Sequence, residues 1–81
     1  MFDKLKQLKQ LKEIKDSLAK ETFEAERDGT KVILNGNLSV EQIILNSELD
    51  KERQESVLRD CFNDSIRKAQ MAMAERFKGL M

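Results

Sequence analysis

Lysine recurs with unusual regularity near the start of this chain. In "LKQLKQLKEIKD" (Leu5 to Asp16), Lys6, Lys9, Lys12 and Lys15 stand three residues apart, with Lys4 just before them. The chemistry open to such a row is electrostatic: each ammonium neutralises one negative group on a partner, or is simply solvated. On a helix, a spacing of three falls about 60° short of a full turn at each step. The four lysines therefore wind around the axis and spread positive charge about the helix. That suits contact with something negative and extended, met without a fixed register. It equally suits a lysine-decorated helix in water, or half of a helical hairpin closed by the basic end of a second helix. That second basic group is Arg67, Lys68, Arg76 and Lys78.

Other chemistry is poorly provided for. The chain has no histidine, so no side chain has an unperturbed pKa suited to acid–base work near neutrality. Cys61 is the only cysteine; a buried thiol in a reducing compartment is the simplest reading. Carboxylates are scattered among lysines, as on a salt-bridged surface. There is no cysteine and histidine cluster for zinc and no glycine-rich phosphate loop, since Asn35-Gly36-Asn37 reads as a hairpin turn. A stacking platform for single strands would rest on Phe2, Phe23, Phe62 and Phe77 alone. Catalysis, a cofactor and a small-molecule substrate are not expected.

The elements that must position these residues follow from pattern. Residues 3–20 are rich in Leu, Lys, Gln and Glu, all good helix formers. Leu8, Leu11, Ile14 and Leu18 fit one arc of about 120°, while Leu5 lies off it. The base of this helix can pack while its tip turns away, so it reads as an arm. Asp28-Gly29 and Asn35-Gly36 then mark hairpin turns, because these dipeptides tolerate positive φ. Between them lie short segments rich in β-branched residues, read as strands over about 21–27, 30–35 and 38–46. Ser47, with acids at 48, 50 and 52, signals the start of a second helix. Leu58, Phe62, Ile66, Ala69, Met73 and Phe77 fall within about 100° of its circumference and form a candidate core stripe, with Gly79 as a stop signal.

One domain of 81 residues is expected: a basic helical arm (1–20), a three-stranded sheet (21–46) and a long helix (47–78). The class is α+β, in the order α-β-β-β-α, with a small antiparallel sheet between two long helices. A core of this size is marginal alone. "IIL" (Ile43 to Leu45) puts apolar side chains on both faces of what would be an edge strand, which must be covered or paired. A homodimer meets both needs, with Ile43, Leu45, Leu58, Phe62 and Ile66 as candidate interface residues. The net charge is zero but unevenly placed: residues 1–20 carry six lysines against three acids, residues 65–81 four basic groups against one acid, and residues 21–64 eleven acids against five basic groups. No apolar run approaches the ~18 residues that span a bilayer, and the lysine-rich start lacks a secretory signal's apolar segment. A cytoplasmic protein with no membrane partner is expected.

"KVILNGNLSVEQIIL" (Lys31 to Leu45), followed a dozen residues later by "LRDCFNDSIRKAQ" (Leu58 to Gln70), resembles the YbaB/EbfC family of bacterial nucleoid-associated proteins. The family's Asn-Asp helix signature is matched by Phe62-Asn63-Asp64-Ser65 with Arg67 and Lys68, and "MFDKLKQLKQLK" is similar to its methionine-phenylalanine start and long first helix. The resemblance spans nearly the whole chain. It implies a dimer with helical arms projecting like tweezers, double-stranded DNA as partner, a place in the nucleoid, and no enzymatic activity or cofactor. Leucine at a strict spacing of three departs from the glutamine and methionine common in the family.

With the resemblance, the expected function is binding of double-stranded DNA by a homodimer, mainly through phosphates and with weak sequence preference. Lys4, Lys6, Lys9, Lys12 and Lys15 are the first candidate contacts, and Arg67, Lys68, Arg76 and Lys78 the second. A different reading stays open: a helical scaffold or adaptor whose arm packs on a protein partner, favoured by the acidic middle of the chain.

Overall fold

A computed structural model describes the backbone of residues 2–78 and the side chains of residues 4–78; Gly79 and the side chain of Phe2 lie outside the described residues. The order is α1 (Phe2–Lys20), β1 (Thr22–Arg27), β2 (Thr30–Asn35), β3 (Val40–Ile44) and α2 (Lys51–Lys78). The α+β class and the α-β-β-β-α order are as expected. The strands form one antiparallel sheet, β1-β2-β3, with β2 in the centre.

The first hairpin turn behaves as its sequence requires. Arg27 pairs with Thr30, leaving a two-residue loop in which Asp28 has φ 49° and Gly29 φ 81°. Positive φ at both positions is the type I′ turn that Asp-Gly favours. The second turn does not follow its dipeptide. Here the positive φ falls on Leu38 (62°), not on Gly36. The Asn35 side-chain oxygen accepts hydrogen bonds from the N–H groups of Asn37 and Ser39 and shapes a longer loop. Gly36 is needed for another reason, given below.

α2 begins four residues later than Ser47. Asp50 is its cap, since its Oδ1 accepts the Arg53 N–H at 2.7 Å and satisfies one of the helix's orphan donors. Ser47 lies instead in a turn held by Asn46, whose Oδ1 accepts the Glu48 N–H. α2 lies on β1 and β2. Its fully buried residues are Val57, Cys61, Ser65 and Ala69, which repeat every four positions; Val57 and Cys61 form one cluster with Ala25, Val32 and Leu34. This corrects the expected stripe, of which Ala69 alone is buried. Small side chains let the helix approach the sheet closely. Leu58, Phe62 and Ile66 sit one position round the helix and are only half-buried.

The molecule is long for its size, 58 × 18 × 13 Å, with a radius of gyration of 16.4 Å. A compact 81-residue domain would have about 12 Å. The excess comes from helices longer than the sheet they serve.

Candidate nucleic-acid interface

α1 packs through its last two turns only. Exposure falls from 66% at Leu5 and 63% at Leu8 through 38% at Leu11 to 2% at Leu18. The apolar ladder thus leaves the body earlier than its arc suggested, and most of the helix, about 28 Å long at 1.5 Å per residue, stands clear. Lys4, Lys6, Lys9, Lys12 and Lys15 are all exposed on it. None of the five makes an ion pair among the described residues.

The body's charges behave differently. Asp60 and Asp64 are bridged by Arg27, Asp28 by Arg53, Glu24 by Lys31 and Glu21 by Arg76. Five of the eleven acids of residues 21–64 are therefore matched by cations of the same body. The arm's lysines have no such matching. That difference weakens the argument from acidity for an adaptor.

The second basic group is divided by the fold. Lys68 donates its ammonium to the Glu24 carbonyl at 2.7 Å and holds the outer edge of β1. Arg76 donates to Ser17 Oγ at 2.9 Å and pairs with Glu21, at the base of the arm. Arg67 lies 3.7 Å from Asp64 and is largely exposed. Lys78 is exposed near the end of α2. These side-chain partners are separated by 44 and 59 positions in sequence, so no local pattern announced them.

The arm meets the body at one tight point. The Leu18 carbonyl accepts the N–H groups of both Glu21 and Gly36, each at 3.0 Å. A Cβ on Gly36 would lie 2.1 Å from that oxygen, so no larger residue fits without moving α1. This is why glycine stands there.

The candidate dimer residues share a side. Arg27 on β1 reaches Asp60 and Asp64, which places that flank of α2 over β1. Leu58, Phe62 and Ile66 are on the opposite flank, toward β3. Ile43 pairs with Val32 and so shares the α2 face of the sheet. Yet Ile43 is 43% and Leu45 53% exposed, because α2 does not reach over β3. All five residues of β3 are exposed. The other edge, β1, carries Glu24, Glu26 and Arg27, charges that discourage strand pairing. Farther along, an apolar cavity of about 380 Å³ opens between α1, the β2–β3 loop and α2, lined by Leu11, Leu18, Leu38, Met73 and Phe77 among others.

Cys61 is fully buried, and burial pushes its thiol up. It donates weakly to the Thr30 carbonyl at 3.5 Å. No group of three or more metal-ligating side chains occurs among the described residues, and no described helix is long and apolar enough to cross a membrane.

The family model for the YbaB/EbfC DNA-binding family matches residues 1–81, the whole chain. The chain belongs to the YbaB/EbfC family. No individual curated protein matches it. Membership carries the coarse function: this is a DNA-binding protein of the nucleoid-associated kind, from a bacterial family that is not known as enzymatic. The Asn-Asp signature of the resemblance acquires a physical role at Asp64, whose carboxylate joins Arg27 of β1 to Arg67 of its own helix.

Proposed function

We propose that this YbaB/EbfC protein binds double-stranded DNA as a homodimer, with the lysines of α1 as phosphate contacts and little preference for sequence. The observation that carries this reading is the contrast between the arm and the body. Lys4, Lys6, Lys9, Lys12 and Lys15 are exposed on a projecting helix and without ion-pair partners among the described residues, while cations of the sheet and α2 bridge nearby acids. Ammonium groups wound around a helix meet phosphates in many orientations, and phosphate contacts carry no sequence information directly. Arg67 and Lys78, exposed on α2, are the remaining cations of the second group that can add to them.

The dimer is supported by the uncovered apolar side of the sheet. Ile43 and Leu45, with Leu58, Phe62 and Ile66 beside them, are apolar and incompletely buried, and β3 is an edge strand with unpaired backbone groups. A second copy meets both needs at once. Two α1 helices of about 28 Å, each with about 18 Å clear of the body, can flank a duplex. Such a protein works where DNA is, in the nucleoid of the cytoplasm.

Fluorescence anisotropy of a labelled random-sequence duplex, titrated at several salt concentrations, tests this. Affinity should fall steeply with salt, with a log–log slope of about −0.9 per phosphate neutralised. Lys9→Glu with Lys12→Glu should weaken binding to every sequence while the protein stays folded and dimeric. Unchanged affinity in that variant would remove the arm from the interface. Binding of an apolar protein partner would instead survive salt that strips phosphate contacts.

A further inference from the structure

Arg76 is basic and sits near the end of α2, which makes it look like one more phosphate contact. Its surroundings assign it different work. Its guanidinium spans two groups on either side of the end of α1: Ser17 Oγ, at 2.9 Å, and the Glu21 carboxylate. Between them in sequence is Leu18, whose carbonyl takes the N–H groups of Glu21 and Gly36 at 3.0 Å. Gly36 leaves room for that carbonyl, where a Cβ would stand 2.1 Å away. Arg76 holds Ser17 and Glu21, which bracket Leu18 in sequence. α1 touches the rest of the molecule only near this end.

We propose that Arg76 and Gly36 form a latch that sets the angle of the α1 arm, so that Arg76 is a positioning residue for DNA binding and not a phosphate contact. This rests on the arm being the DNA-binding element. A lever of about 21 Å from Leu18 to Lys4 converts a small rotation at its base into a large displacement of Lys4 and Lys6 at its tip. The latch uses the fork geometry of a guanidinium. A lysine keeps the charge but is a single point donor and cannot hold Ser17 and Glu21 in the same way.

The test compares Arg76→Ala, Arg76→Lys and Gly36→Ala with the parent protein by two readouts. The first is amide hydrogen exchange by NMR, free of DNA. In all three variants the Glu21 and Gly36 amides should exchange at least about ten times faster, while Val32 in the central strand stays protected as before. The second is duplex affinity against salt. If the arm keeps its binding pose about a tenth of the time, affinity falls about ten-fold, with the salt slope unchanged. Loss of a true phosphate contact would instead lower the slope by about 1.8 per dimer, about 0.9 for each copy.

Arg76→Lys decides between the two roles. A phosphate contact survives that change; the latch does not. Parent-like DNA affinity in Arg76→Lys, or a reduced slope in Arg76→Ala with Glu21 and Gly36 still protected, overturns the proposal. Should the parent protein fail to bind DNA at all, the DNA reading falls, and the exchange experiment still reports on the latch alone. Gly36→Ala leaves Arg76 intact, so an effect there cannot come from lost charge; if it does not fold, the Arg76 pair still gives the answer.

Discussion

Arg27 Nη2 lies 2.9 Å from Asp64 Oδ2. The pair ties β1, an edge strand, to the middle of α2, and it does so through one of the two residues of the Asn-Asp signature. Arg27 also reaches Asp60 at 3.4 Å, so one guanidinium clamps two successive turns of the helix to the sheet. Asp64→Ala should destabilise the fold by about 1 kcal/mol, the upper end for a pair open to solvent. A double-mutant cycle with Arg27→Ala, followed by urea unfolding, measures the coupling. Purely additive effects would show that the two side chains do not support one another.

The lysines of the arm should contribute individually and alike. Lys6→Ala, Lys9→Ala, Lys12→Ala and Lys15→Ala should each lower the salt slope of duplex binding by about 1.8 per dimer, about 0.9 for each of its two copies, if each copy neutralises one phosphate. Each should weaken unrelated sequences equally. Loss confined to one sequence would point to a base contact in place of a phosphate contact.

Ile43→Glu should break the proposed dimer and leave the protomer folded. Ile43 is 43% exposed on an edge strand, so the protomer tolerates a charge there, whereas a dry interface does not. Burying such a side chain is worth about 2 kcal/mol, so dimer dissociation should strengthen by ten-fold or more. Sedimentation velocity reads the mass, and circular dichroism the fold. A parent-like mass would move the interface away from β3.

Cys61 predicts a loss of stability in alkali. Burial pushes its thiol up, so the folded protein keeps the proton through pH values at which the unfolded chain, with an ordinary thiol near about 8.5, releases it. Above that pH the unfolded state binds fewer protons, and stability falls as pH rises. Below it the contribution is fully present. The urea midpoint should drop between about pH 8.5 and 9.5, by no more than about 1.4 kcal/mol in free energy, and Cys61→Ala should flatten the drop. The thiol should also resist alkylation until urea unfolds the protein.

Thr30 is fully buried beside Cys61, and its hydroxyl has no hydrogen-bond partner among the described side chains. Thr30→Val keeps the shape and the strand preference while removing that hydroxyl. It should raise stability by about 1 kcal/mol, the order of an unsatisfied buried group's penalty. Thermal unfolding measures it; a decrease would mean that the hydroxyl is in fact satisfied.

The order of elements was legible in the sequence because the signals that set it are local. The Asp28-Gly29 turn needs only its own two residues to tolerate positive φ, and the basic arm shows itself through helix formers and lysine spacing. The exposed apolar edge at Ile43 to Leu45 was legible as well, since alternation within one strand fixes which side chains share a face. Which stripe of α2 would be buried was not. The largest apolar arc, Leu58 to Phe77, looked like the core. The fold instead buries Val57, Cys61 and Ser65, with Ala69 the one buried member of the expected stripe, because the helix lies over β1 and β2. The long-range contacts of Gly36 and Arg76 were illegible for the same kind of reason. Gly36 lies in the hairpin turn its sequence announces, but nothing local shows that the chain brings Leu18 to Gly36 and Ser17 and Glu21 to Arg76 across 18 to 59 positions in sequence. Local propensity determined what this protein is built from. Close approach between distant segments, which no periodicity encodes, decided which residues hold the arm in place.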